Sequence, residues 1–274
     1  MAIYKNVKAL FYDENLKAVI KTQKGNLYPK DGIVGELVDL ETNVFNKQEK
    51  VIKLIPVEKS KFRVNPVCKI FQKCGGCHLQ HISYQEQLNI KTNKVQELFD
   101  NALKLNIKVK PTIGMKDPFH YRNKSQVVFK FNKGKMYSGF YEEGTHDVID
   151  YDDCHLQDPV ANKIIKVIKE LMVKMRISAY DEDKKTGIIR HVLIKSSSFT
   201  KEVLVVLIVG TENFPGRNNF VKALTAKCPN ISTIIQNINN RKTSAVLGEK
   251  ETILFGKGYI YDNLLGFKFK ITSK

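Results

Sequence analysis

The chain has 274 residues, with 45 Lys and Arg against 28 Asp and Glu, for a formal net charge of +17. That length can bury a substantial core and suits two domains, and the cation excess favours a polyanionic partner such as nucleic acid. No apolar run reaches a membrane span and no signal-like segment opens the chain, so no membrane partner is expected and the compartment expected is the reducing cytoplasm.

Residues 1–57 read as short strands. Leu16–Ile20, Ile33–Leu40 and Lys50–Ile55 are β-branched runs separated by turn signals at 13–15, 24–26 and 30–32. Several short strands in so few residues predict a small OB-like β-barrel, a shape used by nucleic-acid binders. A polar connector, 58–66, ends at Pro66 and leads into Cys68-Lys-Ile-Phe-Gln-Lys-Cys74-Gly-Gly-Cys77, three of the five cysteines at C-x5-C-x2-C spacing. Thiolates are soft ligands, and Gly75-Gly76 lets the backbone turn tightly between two of them. A disulfide knot does not suit a long, lysine-rich chain without a signal peptide. Cys74-Gly-Gly-Cys77-His78 matches the haem attachment pattern but lacks the export signal. Zinc, on four Cys or three Cys plus His78 or His81, and a four-iron cluster both fit the spacing. Cys154 is available as a distant fourth ligand.

Ser83 and Glu86 form a candidate capping box for a helix over about 84–104, whose stripe is Leu88, Val95, Leu98, Phe99, Ala102 and Leu103. Tyr121-Arg122-Asn123-Lys124 precedes a strand at 126–131, and Lys133-Gly134 reads as a hairpin turn into 136–141. A guanidinium there offers a planar fork to phosphate or a flat face to a base. Asp150, Asp152 and Asp153 crowd one loop, which suits either acid–base work or a solvated edge. Asp158-Pro159 starts a helix running to about Met175. Arg190–Lys195 and Glu202–Val209 are adjacent strands, the second apolar throughout and therefore interior, with His191 read as structural. A helix at 218–226 and a strand at 231–235 follow, with Cys228 between them as a small buried hydrophobe.

The ordered series Cys74-Gly-Gly-Cys-His-Leu-Gln-His81, Tyr121-Arg-Asn-Lys124, Cys154, Gly187-Ile-Ile-Arg-His191 and Gln236-Asn-Ile-Asn239 resembles the S-adenosylmethionine-dependent RNA uracil-C5 methyltransferases, in their iron–sulfur 23S ribosomal RNA branch. The likeness runs from about residue 54 to the last. It implies a 4Fe-4S cluster on Cys68, Cys74, Cys77 and Cys154, with ribosomal RNA beside Tyr121, Arg122, Asn123 and Lys124. It also implies an α+β architecture: a TRAM-like small β-barrel at 1–57, then an α/β central domain at 58–274 carrying the four-cysteine loop. In the family the methyltransferase domain follows the strand at 267–274, bringing the S-adenosylmethionine pocket, the catalytic cysteine and the proton-abstracting carboxylate. The chain is accordingly expected to hold no catalytic or S-adenosylmethionine-binding residue and to be inactive alone. The segment 83–112 would pack on that domain in the parent, so the 84–104 helix is expected to form a homodimer without it. A stand-alone basic iron–sulfur or zinc RNA-binding module is the alternative.

Overall fold

The computed structural model describes the whole chain except residues 143, 144, 146, 152 and 242–244. It comprises two compact units, Met1–Pro118 and Phe119–Lys274. In the first, β1 (Ala2–Lys8), β2 (Phe11–Tyr12), β3 (Ala18–Thr22), β4 (Gly25–Leu27), β5 (Leu37–Phe45) and β6 (Gln48–Glu58) form two three-stranded sheets, ordered β1-β5-β6 and β2-β3-β4. Ala9, Ala18, Ile20, Leu27, Val38 and Leu40 meet in one core between them. The strands are therefore two small antiparallel sheets, and no closed barrel is found among the described residues. The run at 33–40 starts as a strand only at Leu37. Ile33 is buried at a turn where Gly35 takes φ +91°, a conformation that favours glycine.

The division expected at 57/58 is crossed by a buried ion pair. The Glu36 carboxylate, 1% exposed, accepts the Arg63 Nε–H at 2.7 Å and the Ser60 N–H at 2.9 Å, and Arg63 also donates to the Asp31 carbonyl at 2.7 Å. Ile33, Ile82 and Ile90 make a second small core with Phe62 and Leu79 around them. These contacts fasten the cysteine segment and the following helix to the strands, so the first unit extends to Pro118.

That helix, α1, spans Tyr84–Glu97 and passes into a π turn at Leu98–Ala102. Ser83 makes no side-chain cap; instead Gln87 reaches back to the carbonyls of Leu79 and Ile82 at 3.1 and 2.9 Å. α1 seats Ile90, while Val95 and Leu98 of the expected stripe stay 42% and 53% exposed.

In the second unit, β7 (Lys124–Asn132), β8 (Lys135–Tyr141), β9 (Val148–Asp150), α2 (Pro159–Lys174), β10 (Ile189–Ser196), β11 (Val203–Val209), α3 (Arg217–Lys227), β12 (Ile231–Ile238) and β13 (Lys250–Phe255) build a seven-stranded sheet ordered β13-β12-β11-β10-β7-β8-β9. Among the described residues of this sheet, only the β11–β12 pairing is parallel. Asp158 caps α2 by accepting the Val160 N–H at 2.9 Å, with Pro159 in the first turn. α2 and α3 cover one sheet face with a core of Ile164, Ile168, Phe220 and Leu224 against Val192, Val205 and Leu207. The hairpin of β14 (Ile260–Leu264) and β15 (Phe267–Ile271) covers part of the other, setting Ile260 and Ile271 against Leu193, Leu204, Val206 and Ile235. No helix is long and apolar enough to cross a membrane among the described residues.

Candidate nucleic-acid interface and cysteine loop

The cysteine loop is a succession of tight turns in the first unit. The Phe71 N–H donates to the Cys68 carbonyl and the Cys74 N–H to the Ile70 carbonyl, both at 3.1 Å, and Gln72 takes φ +73°. The Gly76 N–H points at the Cys74 sulfur at 3.4 Å. A side chain on Gly76 would meet that same sulfur at 3.4 Å. Cys68 is tied in by its N–H to Gln80 Oε1 at 3.2 Å.

His81 anchors the loop's far end. It is 3% exposed, its Nε2 is 3.1 Å from the Gly32 carbonyl and its ring lies 5.6 Å from that of Phe71. Nδ1 has no hydrogen-bond partner, and burial depresses the imidazole pKa, so the ring is neutral with its proton on Nε2.

All five cysteines are thiols outside any disulfide, and Cys68, Cys74, Cys77 and Cys154 are each half-buried. Among the described residues no three Cys, His, Asp or Glu side chains already converge on a metal position. The donor set nevertheless fits a thiolate-bound metal in kind: three half-buried cysteines on tight turns, two of them flanking Gly75-Gly76 and one receiving a backbone N–H. The first three belong to the first unit and Cys154 to the second.

In the second unit the structure brings two of the sequence motifs together. The Arg122 N–H donates to the Leu156 carbonyl at 2.9 Å, and the Asp158 N–H returns to the Arg122 carbonyl at 3.3 Å. His120 adds a ring-nitrogen contact to the Gln157 carbonyl at 2.9 Å. Residues 120–122 thus run beside 155–158, immediately after Cys154. Tyr121, Asn123 and Lys124 are exposed and Arg122 half-buried, on a backbone held from both sides. The Asn123 carbonyl accepts the Ser196 N–H at 2.9 Å, fixing the strand start to the end of β10. Of the acidic loop, Asp150 is bound by Lys169 at 2.5 Å and Lys135 at 3.3 Å, a structural tie and not an acid–base pair; Asp152 lies outside the described residues.

The motifs at 187–191 and 236–239 serve mainly to pin the sheet. Gly187 takes φ +113°, and a Cβ there would sit 2.2 Å from the Ala179 carbonyl. Arg190, 8% exposed, binds Glu182 through Nε and Nη2, reaches the Asn239 and Arg241 carbonyls at 3.3 Å and stacks over Tyr180. Asn237 exchanges hydrogen bonds with the backbone of Gly248 in both directions. Sequence reasoning left Lys195 out of the site, because only the register of β10 against β7 sets it directly opposite Lys124.

His191 is 7% exposed on β10, with Nδ1 unpartnered, and burial followed by the Arg190 charge lowers its pKa to about 4. A depressed folded pKa means that the unfolded chain binds the proton first, so stability is lost as pH falls from about 6.5 toward 4. Urea unfolding at pH 7 and pH 4.5 should show about 2 kcal/mol of this loss in the parent, and His191→Gln should abolish that part of it. An unchanged pH dependence in the variant would show that His191 does not set it.

No protein-family profile matches the chain. It is 40% identical over 258 residues to a protein of Clostridium acetobutylicum named an uncharacterized RNA methyltransferase, covering 93% of this chain and 56% of that one. A protein of the same description from Clostridium tetani is 38% identical over 253 residues, covering 92% of this chain and 55% of its own. The chain is similar in sequence to proteins named RNA methyltransferases. It spans about half the length of the curated proteins it matches. Its fold is shared with Pyrococcus abyssi tRNA (uracil-54, C5)-methyltransferase, solved in complex with S-adenosyl-L-homocysteine. There the TM-score is 0.71 at 22% identity, over 98% of this chain and 59% of that one.

Proposed function

We propose that the chain is the RNA-recognition and cluster-bearing portion of an S-adenosylmethionine-dependent uracil-C5 methyltransferase acting on 23S ribosomal RNA. The observation that carries this is the 40% identity to an RNA methyltransferase over 93% of the chain. The S-adenosyl-L-homocysteine in the neighbouring fold supports the methyl donor. The resemblance of Cys74-Gly-Gly-Cys-His-Leu-Gln-His81, with Cys68 before it and Cys154 after, to the iron–sulfur branch supports a 4Fe-4S cluster on Cys68, Cys74, Cys77 and Cys154, and with it the ribosomal branch. Such a cluster supplies iron–thiolate bonds that cross-link distant parts of the chain and a capacity for one-electron transfer.

Uracil-C5 methylation needs a thiolate that adds to C6, so that C5 becomes nucleophilic. Cys228 does not fit that role. It is fully buried, and burial pushes its thiol pKa up, holding it protonated. The chain's share of the reaction is to hold the RNA, through the Tyr121-Arg122-Asn123-Lys124 segment, exposed at Tyr121, Asn123 and Lys124, whose backbone is locked against 155–158. Arg122→Ala should weaken binding to a folded 23S ribosomal RNA fragment about tenfold, and Lys174→Ala, on an exposed helix end, less than about twofold. Equal effects would remove Arg122 from the interface.

A further inference from the structure

Strand alternation divides the second unit's sheet into two faces. Val127 and Phe129 of β7, Met136 of β8 and Val192 and Ile194 of β10 point into the core under α2 and α3. The opposite face carries Lys124, Gln126, Val128 and Lys130 on β7, Tyr137 on β8 and Lys195 on β10. The β14–β15 hairpin covers that face over β11, β12 and Leu193 of β10, with Lys195 at its edge. Over β7 and β8, no helix or strand of the second unit takes the hairpin's place among the described residues; α2 packs on these strands from the core side. Gln126 is exposed there, and Val128, Lys130 and Tyr137 are half-buried.

Register fixes what this uncovered half presents. Lys195 lies directly opposite Lys124, Leu193 opposite Gln126, and Lys130 opposite Tyr137. Like charges directly opposite each other destabilise a sheet. Neither Lys124 nor Lys195 has an ion-pair partner among the described residues, whereas Lys130 meets Asp147 and Lys135 meets Asp150, each at 3.3 Å. The Lys195 ammonium is held in place by the Thr272 carbonyl at 2.7 Å. Burial and the Lys124 charge lower its pKa, the effect an arriving anion would reverse. Some 20 Å along β7, at about 3.4 Å per residue, Tyr137 presents a ring with the Lys135 ammonium 5.6 Å from its centroid.

We propose that this uncovered half of the sheet binds an unpaired stretch of RNA, with phosphates against Lys124 and Lys195 and a base stacked on Tyr137. A flat strand face bearing an aromatic ring can take only bases that are splayed out of a helix, while a duplex offers it phosphates and 2′-hydroxyls alone. The span leaves room for a few nucleotides leading away from the Arg122 segment. This rests on the RNA-binding reading above.

The test measures binding of the 274-residue chain to a fluorescein-labelled single-stranded oligouridylate, to an RNA duplex of equal length and to heparin. The single strand should bind about tenfold tighter than the duplex. Tyr137→Ala should lose about tenfold on the single strand alone, with Tyr137→Phe close to the parent. Lys124→Gln and Lys195→Gln should each flatten the logarithmic salt slope by about one. Single strand and duplex bound alike, heparin competing irrespective of Tyr137, or parental affinity in Tyr137→Ala would each overturn the proposal. Should Tyr137→Ala fail to fold, an unchanged salt slope in the Lys124→Gln, Lys195→Gln double variant overturns it. If the chain still binds folded ribosomal RNA through Arg122, this face alone is wrong; if it binds no RNA, the functional reading falls as well.

Discussion

Replacing Cys154 with serine is expected to bleach the protein. Purified without oxygen, the parent should be brown, with broad charge-transfer absorption and about four iron and four acid-labile sulfide per chain. Cys68→Ser, Cys74→Ser and Cys77→Ser should bleach it equally, because a four-iron cluster on four thiolates loses its hold when any one is removed. Cys228→Ser should leave the colour intact, since that sulfur is fully buried beneath the α2–α3 side of the sheet. Cys154 is the informative position. It is 77 residues from the nearest of the other three in sequence (154 minus 77) and belongs to the other compact unit. Stoichiometric zinc without sulfide would assign the loop to a structural metal instead, and full colour in Cys154→Ser would remove Cys154 from the ligand set.

The second large effect falls on stability. Arg190→Ala removes the bidentate contact with Glu182, the bonds to the Asn239 and Arg241 carbonyls and the stacking on Tyr180. Glu182 is partly solvated and can turn to water, but Asn239 is fully buried and its carbonyl loses a donor. The expected cost is about 3 kcal/mol by urea unfolding. Arg190→Lys should recover only part of it, because an ammonium cannot span the carboxylate and both carbonyls as a planar fork does. A loss below about 1 kcal/mol in Arg190→Ala would mean that the network contributes little beyond a surface ion pair.

The parts legible in the sequence were those governed by local signals. Asp158-Pro159 announced α2, and the uniformly apolar 203–209 run became an interior strand because both its faces are covered. Cys228 was readable as a buried hydrophobe, and His191 as structural. The first unit was harder, because its strands are short and β1, β2 and β4 carry little alternation. Ile33 and Val34 imitate the start of a strand but belong to the turn closed by Gly35. The helix start after Ser83 was a correct boundary, but Ser83 makes no side-chain cap, and Gln87 instead ties the helix to the carbonyls of Leu79 and Ile82. Helical periodicity continued past Glu97, where the π turn at Leu98–Ala102 interrupts it; Val95 and Leu98, five and eight residues after Ile90, turn off its face at about 100° per residue and stay exposed.

The candidate site divides similarly. Tyr121–Lys124 and the three clustered cysteines stand out as strings, whereas the pairing of Arg122 with Leu156 and of Lys124 with Lys195 exists only once the sheet is formed. Arg190 stood out only as part of the Gly187–His191 string and as a strand start, with no sign of its partners. Its partners lie 8, 49 and 51 residues away, beyond the reach of any local pattern.

The central claim is that this chain holds RNA, and its salt dependence tests that most directly. Between 50 and 200 mM salt, affinity for a 23S ribosomal RNA fragment should fall on the order of 10³-fold, as lysine and arginine contacts to phosphate displace counterions. No binding at the lower salt, or an affinity that stays level across the range, would contradict the account.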